Sequence, residues 1–303
     1  MLTVEVDRNA LDGLRRRGDV RFIEPDIELE AVARTTPYGI ETVNATDARA
    51  GGETGLGADV AVIDTGIDAT HPDLADNLGA GRAFTAGAST PLWDDANGHG
   101  THVAGTVGAI DNDRGIIGVA PDVTLYAVKM LNATGTDLTS DIAAGIEWTA
   151  DQGYGVGNLL LGGGTSTLRE ACQYAEDGGT LLVAAAGNDG PCSDCVSAPA
   201  RYPKCVAVSA TDENDDLAGF SSTGPEVELA APGAGVYSTY YVNSYNTLSG
   251  TSMASPRVAG GAAQLAADGY SRGEARGRLK NTAADVSLSE SAGRLDIAAA
   301  LEL

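Results

Sequence analysis

Val60-Ala61-Val62-Ile63-Asp64-Thr65-Gly66 decides how this chain folds. It reads as a buried apolar strand that ends in a carboxylate followed by glycine. In a parallel sheet the carboxyl ends of strands face the functional crevice, so Asp64 stands where chemistry is done. A lone Asp-Thr-Gly is also a common turn cap, so the rest of the chain must choose between the two readings.

Working outward, strand-like apolar runs at 60–64, 124–128, 156–161, 180–186 and 206–210 alternate with helical patterns at 100–109, 140–151 and 167–177. Helical stretches at 251–268 and 272–281 close the chain. This alternation predicts an α/β fold with a mainly parallel sheet and crossover helices. Residues 1–32 read as a separate small unit. Leu2, Val4 and Val6 alternate like a strand, 10–17 is a charged helical stretch, and 20–23 is a second strand-like run before Glu24-Pro25-Asp26 breaks the pattern. A unit this short buries too little to stand alone, so the main domain is 33–303.

Composition excludes several classes. At 43% hydrophobic residues the chain is not globally disordered. Its longest apolar runs, 60–63 and 181–186, fall far short of the ~18–20 residues that span a bilayer. The net charge is −23, with Lys129, Lys204 and Lys280 the only lysines. Such a surface repels nucleic acid and anionic membranes, which excludes both as partners. Its dense carboxylates fit a high-salt environment, where screening relieves their repulsion. Cys172, Cys192, Cys195 and Cys205 cluster far in sequence from His71, His99 and His102. Disulfides in an oxidising compartment therefore explain them better than zinc, with three connectivities open. No charged-then-apolar signal opens the chain, so either export depends on a segment absent here or the chain starts downstream of the true N-terminus.

Two more stretches carry chemistry. In Asn97-Gly98-His99-Gly100-Thr101-His102, small residues surround a histidine at a helix start. No Glu follows His99, so the His-Glu-x-x-His zinc pattern fails. In Gly250-Thr251-Ser252-Met253-Ala254-Ser255-Pro256, a serine heads a long apolar helix, where unpaired N–H groups and partial positive charge gather. Each has an ordinary structural reading. Together they supply a nucleophile (Ser252), a base (His99) and an acid to orient the base (Asp64), the set that amide hydrolysis requires.

These three segments resemble, nearly letter for letter, the signature motifs of the subtilisin-like serine proteases (subtilases), in the order Asp, His, Ser that subtilisin itself shows. Ala184-Ala185-Ala186-Gly187-Asn188 is a fourth match. The resemblance runs from about Pro37 to the C-terminus and is similar to the haloarchaeal secreted type. It implies a three-layer α/β fold and a serine endopeptidase working through an acyl-enzyme. In the family, Asn188 donates to the oxyanion. Residues 20–32 resemble the end of an inhibitory propeptide, truncated, with processing near Val32 and Ala33. The substrate clamps map to Gly135, Thr136 and Asp137 and to Leu160, Leu161 and Gly162. Ala184, Ala185, Ala186 and Gly187 wall the specificity pocket and Ser197 floors it, which implies broad preference for uncharged side chains. The resemblance also implies structural calcium held by Asp73, Asn112 and the carbonyls of Ile110, Arg114 and Ile116, with Arg34 where the family has a ligating Gln. Glu226 and Glu228 resemble a second, weaker cation site. It further implies a secreted monomer acting on peptides, with its own propeptide as inhibitor.

Two departures bear on activity. Leu160 replaces a Ser beside the second clamp, which predicts overfilling next to Ser252 and a slower enzyme. Arg257 replaces the usual His. A non-catalytic peptide-binding relative is the competing reading, and a metal hydrolase a distant one.

Overall fold

The computed structural model describes residues 8–21, 23, 34–85, 88–90, 92–286 and 293–303. The chain divides into two compact units, Met1–Ala33 and Arg34–Leu303. In the first, helix α1 spans Arg8–Arg15. Residues 20, 21 and 23 belong to no strand, contrary to the strand-like reading of that run. The chain turns there instead: the Val20 N–H donates back to the Arg17 carbonyl, and the Arg17 guanidinium holds Asp19 at 2.6 and 2.9 Å. The expected strand at Leu2, Val4 and Val6, the Glu24-Pro25-Asp26 break and the junction at Val32 and Ala33 lie outside the described residues.

The second unit runs α2 (Tyr38–Thr42), α3 (Ala45–Ala50), β1 (Asp59–Asp64), β2 (Arg82–Thr85), β3 (Ala88–Thr90), α4 (His99–Gly108), β4 (Thr124–Lys129), α5 (Thr139–Asp151), β5 (Val156–Leu159) and α6 (Ser166–Asp177). It continues with β6 (Leu181–Ala185), β7 (Cys205–Thr211), β8 (Val227–Pro232), β9 (Val236–Tyr240), β10 (Ser244–Leu248), α7 (Thr251–Ala267), α8 (Arg272–Asn281), β11 (Gly293–Arg294) and α9 (Ile297–Leu301). Among the described residues the main sheet has the order β11-β8-β7-β6-β5-β1-β4-β2-β3, and every pair but β2–β3 is parallel. The α/β reading therefore stands. The strand expected over 156–161 stops at Leu159, because the chain turns out into Gly162, Gly163 and Gly164.

Alternation along each strand builds two cores. Val60 and Val62 of β1, and Leu181, Val183 and Ala185 of β6, pack with α4 and α7 on one face. Ala61 and Ile63, with Leu182, Ala184 and Ala186, pack with α5 and α6 on the other. A strand buried on both faces needs an unbroken apolar run, which is why these segments show no polar alternation. Helix α7 is buried nearly all round, and its small residues allow that. A Cβ at Gly260 would lie 2.7 Å from the Val119 side chain.

The cysteines resolve one way only. Cys192 and Cys195 form a disulfide, whereas Cys172 on α6 and Cys205 on β7 are buried free thiols. Their mutual hydrogen bond, with burial, pushes the Cys205 thiol up. Disulfide bonding thus accounts for two of the four.

Candidate active site

Asp64 is the last residue of β1 and is fully buried. His99 is the first residue of α4, and its Nδ1 lies 2.9 and 2.8 Å from the two Asp64 oxygens. A carboxylate only accepts, so Nδ1 carries the proton and Nε2 is left to accept one. Glycine is required on both sides of this histidine. Gly98 has φ 102°, and a Cβ at Gly100 would collide with the Gly66 carbonyl. Burial pulls the His99 pKa down, but the Asp64 charge and hydrogen bond, with the charge of Asp95, outweigh it and leave the pKa raised.

Lys129 pairs in register with Asp64 across β1 and β4, and its ammonium donates to the Thr65 carbonyl. Burial lowers its pKa against the upward pull of Asp95, Asp64, Asp94 and Asp137. His102, one turn along α4, is fully buried and bonds the Val236 carbonyl through Nε2 at 3.0 Å. It points to a different partner from His99, so the two do not form a metal pair. Among the described residues no group of three His, Cys, Asp or Glu side chains could hold an ion.

Ser252 lies in the first turn of α7, after Gly250. Pro256 has no N–H to bond the Ser252 carbonyl four residues back. Asn188 follows β6 by three residues. Its Oδ1 accepts from the Thr251 N–H at 2.9 Å and the Thr251 hydroxyl at 3.2 Å, while the Gly187 N–H donates to Thr251 Oγ1 at 3.1 Å. With Oδ1 fixed by a backbone N–H, Nδ2 remains as the Asn188 donor. Strands β1 and β6 flank β5, so the strand ends that lead to Asp64 and to Asn188 lie at one edge of the sheet, about 10 Å apart as two strand spacings.

The expected binding segments gather at that same edge. Gly135, Thr136 and Asp137 lie in the loop after β4, tied to the histidine loop by Asn97 Nδ2 donating to the Ala133 carbonyl at 3.0 Å. Leu161 and Gly162 follow β5. Leu160 is 6% exposed and packs in the core beneath α7, so it does not fill the cleft as the sequence led us to expect. Ser197 joins the end of β6, its N–H donating to the Ala186 carbonyl at 2.7 Å, and its hydroxyl lies close to Gly187. Ala184 is instead wholly buried against the α5–α6 core. Arg257 is fully buried and donates to the Pro232 and Met253 carbonyls at 2.6 and 2.7 Å, bracing the first turn of α7.

Two of the implied calcium-binding side chains, Asp73 and Asn112, meet. Asp73 is fully buried and receives the Tyr245 hydroxyl at 2.9 Å, the Ile116 N–H at 3.0 Å and the Asn112 amide at 3.2 Å. All three donors are neutral, so a buried anion keeps its charge uncompensated by them. A buried carboxylate and an amide oxygen are ligand types that a hard cation takes. Arg34 pairs with Asp111 instead and offers no oxygen, which leaves the set one ligand short. The second cation site does not fit. Arg276 grips Glu228, with Nε at 3.0 Å, and donates to the Pro203 and Cys205 carbonyls at 3.0 and 3.3 Å, while Lys280 stands 4.0 Å away. A protein cation already occupies the place of a metal.

Sequence reasoning passed over Asp95, Lys129 and Thr251. Lys129 had a signal, a rare lysine ending an apolar strand. Asp95 also reaches Thr65, 30 residues away, and Thr251 reaches Asn188, 63 residues away, which local pattern does not reveal.

Comparison with known proteins gives the family. The subtilase family profile matches residues 55–295. The chain is 45% identical over 287 residues to an alkaline protease of Alkalihalobacillus alcalophilus, covering 93% of this chain and 74% of that one. It is 46% identical over 260 residues to subtilisin DY of Bacillus licheniformis (84% and 93%) and 48% over 255 residues to subtilisin Savinase of Lederbergia lenta (83% and 92%). The chain belongs to the subtilase family. It is a serine endopeptidase, a hydrolase of peptide bonds, and the reading as a non-catalytic peptide binder is not favoured.

Proposed function

We propose that Ser252 is the nucleophile, His99 its general base and Asp64 the group that orients His99. The observation that carries this reading is the Nδ1-to-carboxylate pair at 2.8 Å, set at the same sheet edge as the α7 start. In the first step His99 Nε2 takes the Ser252 hydroxyl proton as Oγ attacks the scissile carbonyl. The oxyanion accepts from the Ser252 N–H and Asn188 Nδ2. His99 then gives its proton to the leaving amine, and an acyl-enzyme remains for water to cleave by the same route reversed. An extended peptide would lie between 135–137 and 160–162 by backbone pairing. Ala185, Ala186, Gly187 and Ser197 offer no charge, which supports broad use of uncharged side chains. A fluorophosphonate tests the assignment: it should label the wild-type chain at Ser252 and leave Ser252→Ala unlabelled.

Further parts of the reading rest on resemblance and composition. Asp73, Asn112 and the carbonyls of Ile110, Arg114 and Ile116 would hold calcium, which braces the loop and takes no part in bond breaking. Chelation should lower the unfolding temperature, and added calcium should restore it. Residues 1–32 act as an inhibitory unit, so active protein should carry a new N-terminus near Ala33. The protein works outside the cell as a monomer in high salt. Among the described residues no helix is long and apolar enough to cross a membrane.

A further inference from the structure

Asp95 sits at the end of the loop before α4, outside the three residues assigned to the reaction. Its carboxylate takes five hydrogen bonds. Oδ1 accepts from the Thr65 hydroxyl, the Asn97 N–H and the Gly98 N–H, each at 2.9 Å. Oδ2 accepts from the Thr101 N–H at 3.0 Å and the Thr101 hydroxyl at 2.6 Å. These donors belong to two different elements. Thr65 follows Asp64 directly, and its N–H donates to Asp64 Oδ1 at 2.6 Å. Asn97, Gly98 and Thr101 bracket His99. The Thr65 hydroxyl closes the loop by accepting from the Gly100 N–H at 2.9 Å.

We propose that Asp95 is a positioning residue for peptide hydrolysis, joining the strand end that carries Asp64 to the helix start that carries His99 and setting a second negative charge beside the imidazole. The proposal rests on His99 being the base and Asp64 its partner. A helix start would be capped by any short polar side chain. Five donors drawn from both flanks of the Asp64–His99 contact are more than a cap requires. The charge acts alongside that of Asp64 from β1, which bonds the imidazole directly and acts on it more strongly than Asp95 does. His102, on α4 itself, feels His99 but is buried and neutral at working pH. Lys129 from β4 carries the opposing charge beside Asp64, Asp94 and Asp95.

The direction follows from the chemistry. His99 must be neutral to act as base. An anion beside it stabilises the imidazolium, which raises the pH below which activity is lost. Removing that charge should move the acid limb of the kcat/KM profile to lower pH. Removing the hydrogen bonds should loosen the Asp64–His99 geometry, and misplacement of about 1 Å costs up to ~10²-fold in rate.

The test compares Asp95→Asn and Asp95→Glu with wild type on a neutral peptide substrate across pH. Asp95→Asn should lower kcat at least tenfold with KM within threefold, and its acid limb should shift downward. Asp95→Glu, which keeps the charge, should hold the limb at its wild-type position. An unmoved limb in Asp95→Asn, or kcat within twofold of wild type, would overturn the proposal and make Asp95 a structural cap. Should Asp95→Asn fail to fold, Thr65→Val keeps the test open, since it removes the hydroxyl between Asp95 and Gly100 with little change in shape. That variant should lose at least fivefold in kcat, and a loss under twofold counts against the proposal. His99→Ala serves as the control: if it kept activity, the base assignment itself would fall, a result separate from any outcome at Asp95.

Discussion

One helix presents two histidines in opposite states. At the mouth of α4, His99 meets the Asp64 carboxylate and its pKa rises. One turn deeper, burial pulls His102 down to about 4, and the Val236 carbonyl recovers only part of that. Residue type and helix are the same, so the difference lies in the partner. A buried carboxylate outweighs the cost of burying a charged imidazole at His99, whereas the Val236 carbonyl does not at His102, which stays a neutral peg.

The largest expected effect breaks the comparison on the mouth side. His99→Ala should abolish peptidase activity with little change in unfolding temperature. In subtilisin itself the equivalent loss is on the order of 10⁶-fold in kcat, a magnitude that belongs to that enzyme. Asn188→Ala, also at the mouth, should reduce kcat by ~10²–10³-fold with KM nearly unchanged; subtilisin again is the type case for that figure. On the deep side, His102→Gln should leave kcat within threefold and cost about 1–3 kcal/mol of stability in urea unfolding.

Acid should separate the two histidines in one experiment. Because the His99 pKa is raised, activity should fall reversibly as pH drops through a value above 6.5, while the fold persists. His102 has its folded pKa depressed, so the unfolded chain binds the extra proton. Its contribution is complete above 6.5 and is lost as pH falls from 6.5 towards 4, worth about 3 kcal/mol over that window. Circular dichroism should therefore report a second, lower transition that His102→Gln weakens. A similarly small kinetic effect is expected at Leu160, which shares the burial of His102 although it lies beside a clamp. Leu160→Ser should cost about 2–4 kcal/mol of stability by opening a cavity and burying a hydroxyl, and should change kcat/KM by less than fivefold. A gain of fivefold or more would return Leu160 to the cleft.

Legibility in the sequence followed the range of the interaction. The run 60–64 announced both a two-faced strand and the acid at its end, because burial and position are written in consecutive residues. The stretches around His99 and Ser252 were readable for the same reason. Strand β8 was not anticipated, since Glu228 interrupts its apolar run and Pro232 ends it. Glu228 then meets Arg276 from a helix 48 residues on, so a site that resembled a metal centre is closed by the chain's own cation. The Cys192–Cys195 bond likewise depended on where α6 and β7 bring Cys172 and Cys205. Leu160 misled because its neighbours in sequence belong to a clamp, while its neighbours in space belong to the core.

The sheet order also governs how this protein comes into being. β1 is central, yet its two partners are β4 and β5, and the contacts that close the unit join residues far apart, such as Tyr38 with Ala234 and Gln264 with Glu53, separations of 196 and 211 positions. Chains dominated by such distant contacts fold slowly, because long loops must close before any contact rewards them. The segments that carry Asp64, His99, Asn188 and Ser252 are therefore in place only when the last crossover is. If these residues are the catalytic set proposed above, a half-made chain carries no working cleft and cannot cut its neighbours. In refolding experiments, catalytic competence should appear in step with the slowest change in fluorescence of Trp93 and Trp148, and never ahead of it.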